Sequence, residues 1–228
     1  SAGLNFNLAL SKNGQVFSWG WNYYGQLGNG TNIDSIVPIN ITSQFNLNID
    51  EKVVKISAGA ISSIAFTSHG RIFTFGDNSV GQIGDGTFTQ RRLPKDITSF
   101  LELESGEEIK ELYLGSSHYV IITSRDRIIT WGCNEQGQLG IGSDAKVSLP
   151  IDITSQIILL TDEIINAFYM GSYHTYLITN QRVLAWGNNS SGQLGIGNFE
   201  DQWLPVDVSN TFSFIDVSIC TAIDFGKY

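Results

Sequence analysis

Basic residues are scarce in this chain of 228 residues: 13 Lys and Arg stand against 22 Asp and Glu, a formal net charge of −9. Binding to a phosphate backbone depends on clustered cations that release counterions, and the longest basic run is Arg91-Arg92, so nucleic acid is excluded as a direct, unaided partner. The same shortage counts against attachment to an anionic membrane surface. No stretch approaches the roughly 18 apolar residues of a membrane span, and the opening SAGLNFNLAL has no basic region ahead of an apolar run. Cysteine is almost absent. Cys133 and Cys220 lie 87 positions apart, too few for a disulfide framework, which fits an intracellular, reducing compartment such as the cytoplasm or nucleus.

Glycine, by contrast, is abundant at 24 residues, alongside 13 Phe, 8 Tyr and 5 Trp, a composition suited to strands and tight turns. Self-similarity explains where these residues fall. The strings WGWNYYGQLGNG from Trp19, FGDNSVGQIGDG from Phe75, WGCNEQGQLGIG from Trp131 and WGNNSSGQLGIG from Trp186 follow one another at intervals of 56, 56 and 55 residues. Gly3, Gly59, Gly115 and Gly171 lead the copies, and Pro38, Pro94, Pro150 and Pro205 each lie 13 positions after the glycine that precedes Gln. Five positions per copy hold 20 of the 24 glycines. A period of this kind decides the architecture: residues 1–228 read as a single repeat domain with repeats over 3–58, 59–114, 115–170 and 171–225. Gly226 repeats the leading glycine a fifth time, and the expectation is a chain cut from something longer.

Within a copy, apolar runs such as VVKIS, SIAFT and RIFTFG are separated by turns, and a weaker run, DITSF, closes the period, giving four strand-sized pieces. Glycine at the end of the KNG and SHG turns accepts the positive φ of a tight hairpin. Runs such as YVIIT and RIITW are apolar at successive positions, so both faces of the sheet must be covered, which stacked neighbouring sheets provide. The prediction is an all-β chain of β-propeller blades, each of four antiparallel strands.

With G-x-x-H near the second strand, a strand ending in WG, then x-N-x-x-G-Q-L-G-x-G and a later Pro, the repeat resembles the regulator of chromosome condensation repeat over essentially the whole chain. His118 and His174 fill the G-x-x-H position; Phe6 and Ser62 replace it in the first two copies, and Phe75 replaces the Trp of the second. Rings of that family usually have seven blades, so the resemblance implies that four repeats form an open arc or part of a seven-bladed ring, with self-association through open blade faces expected. It further implies a non-catalytic protein-interaction propeller that binds a small GTPase of the Ran type, with or without promoting guanine-nucleotide exchange. The alternative is a general protein scaffold without exchange activity; chromatin binding is disfavoured by the acidic charge. Exchange residues do not carry over by position, because no copy holds an insertion large enough for the family's protruding wedge. Similar repeats in bacterial effectors add the cytosol of a host cell as a compartment.

No nucleophile with a base, and no paired carboxylates in a pocket, stand out, so no catalytic residue, cofactor or metal is expected. The glycine loops are followed by neither Lys-Ser nor Lys-Thr and by no helix pattern, and read as blade corners rather than phosphate cradles. Gln26, Gln82, Gln138 and Gln193, with Asn22, Asn78, Asn134 and Asn189, are expected to hydrogen-bond the loop backbone. Trp19, Phe75, Trp131 and Trp186 should pack between blades, an indole N–H finding a carbonyl. The acidic run Glu102, Glu104, Glu107, Glu108 and Glu111 is expected as an exposed connection. Function is sought where the copies differ. Trp21, Tyr23 and Tyr24 replace small or polar residues in the first loop; Phe88, Arg91 and Arg92 precede Pro94; Phe199, Asp201 and Trp203 precede Pro205. These are the candidate partner-binding residues, since Trp, Tyr and Arg dominate interface hot spots. The competing reading is that the rings cover the propeller's own edge.

Overall fold

The computed structural model describes residues 1–211; Cys220, Gly226 and the end of the fourth repeat lie outside the described residues. The first blade is a three-stranded sheet of β1 (Phe6–Leu10), β2 (Val16–Gly20) and β3 (Ser35–Asn40). The second comprises β4 (Val53–Ala58), β5 (Ser62–Thr67), β6 (Ile72–Gly76) and β7 (Arg91–Asp96). The third comprises β8 (Ile109–Leu114), β9 (His118–Thr123), β10 (Ile128–Gly132) and β11 (Val147–Asp152). The fourth comprises β12 (Ile165–Met170), β13 (His174–Thr179), β14 (Val183–Gly187) and β15 (Gln202–Asp207). Each sheet is a meander in chain order, so the all-β blade architecture read from the sequence is the one adopted. Among the described residues no helix is long and apolar enough to cross a membrane.

Two details depart from the sequence reading. The run DITSF is not the fourth strand: Asp96 ends β7, and Thr98–Leu101 is a 3-10 turn. The strand is instead RRLPKD, whose charges and proline hide it. Proline is tolerated because β7 is an outermost strand and is bulged there. Its pairing with β6 runs Phe73 with Asp96 and Thr74 with Lys95, then shifts to Gly76 with Arg91. Second, the first strand of each four-stranded sheet precedes the leading glycine, as β4 precedes Gly59, so these three sheets begin in the tail of the previous repeat.

The chain forms two compact units, Ser1–Ile109 with Val147–Pro150, and Lys110–Lys146 with the residues from Ile151 on. In the first, the core lies between blades one and two, where Phe6, Leu8, Val16 and Leu27 meet Val53, Ala65, Phe73 and Phe75. In the second, Val120, Ile122 and Ile128 meet Phe168, Leu177, Leu184 and Trp186 in the same way. Within each unit one sheet thus covers its neighbour's apolar face, which an isolated repeat has no means of doing.

Hairpin tips absorb the one change in repeat length. The Thr67 N–H donates to the Arg71 carbonyl at 3.0 Å across Ser68-His69-Gly70, whereas the Thr179 N–H donates to the Arg182 carbonyl at 2.9 Å across only Asn180-Gln181. Behind these tips lie buried carboxylates. Glu51 accepts from the Thr67 hydroxyl at 2.5 Å and from Arg71 Nη1 at 2.9 Å; Glu163 accepts from the Thr179 hydroxyl at 2.7 Å and Arg182 Nε at 2.8 Å. Burial alone would raise both carboxyls, but these hydrogen bonds hold them below the ordinary glutamate range. Glu107 occupies the same repeat position and is buried, accepting the Glu104 N–H at 2.8 Å. The acidic run is therefore not uniformly an exposed connection, because one of its carboxylates is a structural acceptor.

Candidate protein-interaction surface

Two amides hold every blade corner. Asn22 Oδ1 accepts the Leu27 N–H at 2.9 Å, while its Nδ2 donates to the Thr31 and Ile33 carbonyls at 3.0 and 3.1 Å. Asn78 and Asn134 repeat all three contacts, and Asn189 repeats the first with Leu194 and the second with the Asn198 carbonyl. The Gln Oε1 accepts an N–H two residues earlier, from Tyr24, Val80, Gln136 and Ser191 at 2.9–3.0 Å. Its Nε2 fares differently. Gln82 donates to Asp77 Oδ2 at 2.6 Å and Gln193 donates to Asn188 Oδ1, but Trp21 and Cys133 occupy that acceptor's place in blades one and three. There Gln26 and Gln138 bury an Nε2 with no hydrogen-bond partner, Gln138 meeting only the Cys133 thiol, a weak acceptor whose pKa burial raises. Loops built this way direct their side-chain amides inward, as blade corners do.

The loops also receive the next blade. Ser63 Oγ donates to the Gln26 carbonyl at 2.8 Å, and Thr175 Oγ1 and Trp186 Nε1 both donate to the Gln138 carbonyl at 2.9 and 3.0 Å. The indole lies flat enough on Gly140 that a Cβ there would come within 2.9 Å of Trp186 Nε1. At the bulge of β7 the freed Arg92 carbonyl accepts the Gly30 N–H at 2.9 Å; Ser148 does the same for Gly86, and Trp203 for Gly142, each at 2.8 Å.

The G-x-x-H pattern has a steric cause. A Cβ at Gly115 would stand 2.4 Å from His118 Cε1, and at Gly3 2.1 Å from Phe6 Cε1, so the leading glycine makes room for whichever ring follows. His118 is fully buried, its Nε2 at 3.0 Å from Thr175 Oγ1; burial, with a smaller contribution from His174, pushes its pKa down to about 3. Burial also lowers the His174 pKa. Both rings are structural. Among the described residues no group of three or more His, Cys, Asp or Glu side chains is placed to hold a metal ion.

The candidate residues fall into three groups. Exposed ring tips are Tyr23 at 64%, Phe88 at 47% and Phe199 at 73% exposure. Tyr23 joins half-buried Trp21 and Tyr24 in one cluster, stacked on Trp21 with centroids 6.2 Å apart and edge-on to Tyr24 at 5.0 Å. Two residues are tied into their own loops: Arg91 Nε donates to buried Asp85 at 2.6 Å, and Asp201 Oδ1 accepts the Asn189 N–H at 2.6 Å. Burial would raise the Asp85 carboxyl, but Thr87 and Arg91 hold it low. Arg92 and Trp203, finally, lie against the preceding blade's loop: a Cβ at Gly25 would stand 2.8 Å from Arg92 Cα, and one at Gly137 2.5 Å from Trp203 Cδ1. Arg92 is thus beside the loop that carries Trp21, Tyr23 and Tyr24, while its neighbour Arg91 turns inward. The partly exposed Leu93, Leu149 and Leu204 on the same outer strands were missed, although an apolar residue stands directly before all four prolines.

Four blades with this corner chemistry define a repeat propeller fold. The chain belongs to the RCC1-like domain family, whose model matches residues 1–226. It is 31% identical over 206 residues to the ultraviolet-B receptor UVR8 of Arabidopsis thaliana, covering 90% of this chain and 44% of the receptor. It is 27% identical over 220 residues to the protein RCC2 homolog of Danio rerio, covering 87% of this chain and 43% of that protein. The chain therefore spans less than half the length of these relatives. Among solved structures, human WBSCR16 superposes with a TM-score of 0.72 at 24% identity, covering 91% of this chain and 51% of that one. Prp20p of Saccharomyces cerevisiae gives 0.54 at 19% identity, covering 92% and 64%.

Proposed function

We propose that this chain is a non-catalytic module that binds another protein through the tips of its blade loops, and that the partner is a small GTPase of the Ran type. The observation that carries the reading is the Trp21–Tyr23–Tyr24 cluster, three mutually packed rings presented on a loop whose backbone Asn22 and Gln26 already hold. Rigid aromatic groups bind at low conformational cost and dominate interface energetics. Family membership supports a GTPase as partner, since yeast Prp20p was described with its binding properties to Gsp1p and histones. Selectivity for one nucleotide state is what turns binding into exchange, because a partner that prefers the nucleotide-free GTPase weakens nucleotide affinity by the same factor.

The test is binding of a Ran-type GTPase in its GDP, GTP-analogue and nucleotide-free forms, to wild type and to Tyr23→Ala. The substitution should weaken binding by more than about tenfold while shifting urea unfolding by no more than about 0.5 kcal/mol. Release of labelled GDP, followed in parallel, separates an exchange factor from a scaffold that binds without accelerating release. No binding in any nucleotide state would discard the GTPase reading.

A further inference from the structure

Glycine follows asparagine at two places, Asn13-Gly14 and Asn29-Gly30. Such a pair is chemically labile, because a following residue with no side chain lets its backbone nitrogen approach the asparagine Cγ. The fold treats the two pairs in opposite ways. Asn29 belongs to the blade corner: its Oδ1 accepts from Asn22 Nδ2 at 3.1 Å, the Thr31 N–H at 3.0 Å and the Thr31 hydroxyl at 2.9 Å, while the Gly30 N–H donates to the Arg92 carbonyl of the neighbouring blade at 2.9 Å. Asn13 stands at the tip of the β1–β2 hairpin, exposed, and its carboxamide has no hydrogen-bond partner among the described residues. That tip is closed by its own bonds, Ser11 N–H to the Gln15 carbonyl at 2.9 Å and Gly14 N–H to the Ser11 carbonyl at 3.0 Å, which open by local fraying without separating blades. Exposure here belongs to the hairpin and not to where the sequence begins, since His69 and Arg125 at the same place in blades two and three are exposed as well.

We propose that Asn13 is a site of spontaneous covalent modification, converted to aspartate and isoaspartate, and that the blade corner protects Asn29 from the same reaction. The deprotonated Gly14 nitrogen bonds to Asn13 Cγ, the Cγ–Nδ2 bond breaks, and the amide nitrogen takes up protons and leaves as ammonia, giving a cyclic succinimide. Water then opens the ring at either carbonyl. Water is consumed, ammonia is released, and nothing is oxidised or reduced. Isoaspartate routes the backbone through the side-chain carbon, which lengthens the tip by a methylene and adds a negative charge. Gly14 is buried against the start of blade two, where a Cβ would stand 2.8 Å from Lys52 Cβ and 3.2 Å from the Val53 carbonyl oxygen, so a longer tip must shift that contact. For Asn29 to react, the bonds to its Oδ1 and the interblade bond of Gly30 must break together, which slows conversion by more than about tenfold.

Incubation of the 228-residue chain in mildly alkaline buffer tests this. Chymotryptic cleavage after Phe17, Trp19 or Tyr24 separates the two pairs, and mass spectrometry reads the deamidated fraction of each. Methyl transfer from labelled S-adenosylmethionine by an isoaspartate methyltransferase counts isoaspartate. In the folded chain, conversion at Asn13 should outpace that at Asn29 by more than about tenfold, and Asn13→Gln, which has no contact to lose, should remove most of the methyl acceptance while unfolding with wild type. In urea the two pairs should convert at similar rates, because the fold is what distinguishes them. Equal conversion in the folded chain overturns the proposal. So does an Asn13 that stays intact while a blocked peptide of residues 11–16 is consumed, or a difference that persists in urea and therefore comes from neighbouring residues.

Discussion

Blades one and two in the first unit, and three and four in the second, are built on one pattern, yet they bury different groups at the same place. Where the first unit has Phe6 and Ser62, the second has His118 and His174. Phe6 and His118 each lie on the leading glycine, so shape is preserved while chemistry changes. The position demands a flat ring or nothing, and it is indifferent to whether that ring can titrate. Two halves with the same fold should therefore respond differently to acid.

The largest effect expected is one that ignores this difference. Asn78→Ala and Asn189→Ala remove a saturated amide from a corner in each half and leave buried backbone groups without partners, each such group costing about 1–3 kcal/mol. Both should lose about 3–5 kcal/mol in urea unfolding; a much smaller loss in one half would mean that the corners are not equivalent. Next comes the pH response. Unfolded histidine takes up a proton below about pH 6.5, but folded His118 refuses it until about pH 3, so the unfolded state binds more protons in between. Its contribution is complete above the unfolded pKa and is lost as pH falls, at about 1.4 kcal/mol per pH unit. Wild type should lose about 2–3 kcal/mol between pH 6.5 and 4.5. His118→Phe, which installs the residue of blade one, should remove most of that loss and leave the part that the lowered pKa of His174 contributes. Below about pH 4.5 both halves should weaken together, since Glu51 and Glu163 have folded pKa values beneath their ordinary 4.5 and surrender their stabilisation as they protonate.

The smallest effect sharpens the comparison within a half. Blades two and four give the Gln amide an acceptor in Asp77 and Asn188, and blade three offers only Cys133. Cys133→Asn should stabilise by about 0.5–1.5 kcal/mol by supplying Gln138 with a carbonyl oxygen. Destabilisation instead would show that the thiol's packing outweighs the missing hydrogen bond.

Much of this was legible from residue order because the corner is a local device. Asn and Gln reach backbone groups within eleven residues, so the same letters reproduce the same contacts in each copy, and period alone reveals them. The outer strands were not legible for the opposite reason. RRLPKD is a strand because the preceding blade, whose Gly30 N–H donates to the carbonyl freed at its bulge, stabilises it, and nothing in Arg91, Pro94 or Lys95 as residue types announces that. Glu107 was misread in the same manner, since a carboxylate among four others looks solvated until its place behind a hairpin tip is known. Of the candidate residues, exposure was foreseen where rings replaced small loop residues, as at Tyr23. It was not foreseen that Arg91 and Arg92 would point to different neighbours, because alternation along a bulged strand depends on where the bulge falls.

The shortened hairpin at Asn180-Gln181 bears on how such a chain tolerates genetic change. The tip one residue shorter than its equivalents coexists with an intact corner, bulge and buried carboxylate, because the two strand ends are joined by the same Thr-to-Arg backbone contact. An epitope or fluorescent label spliced between Asn180 and Gln181 should leave the surrounding blade intact, whereas the same insertion beside Gln193 would sever it.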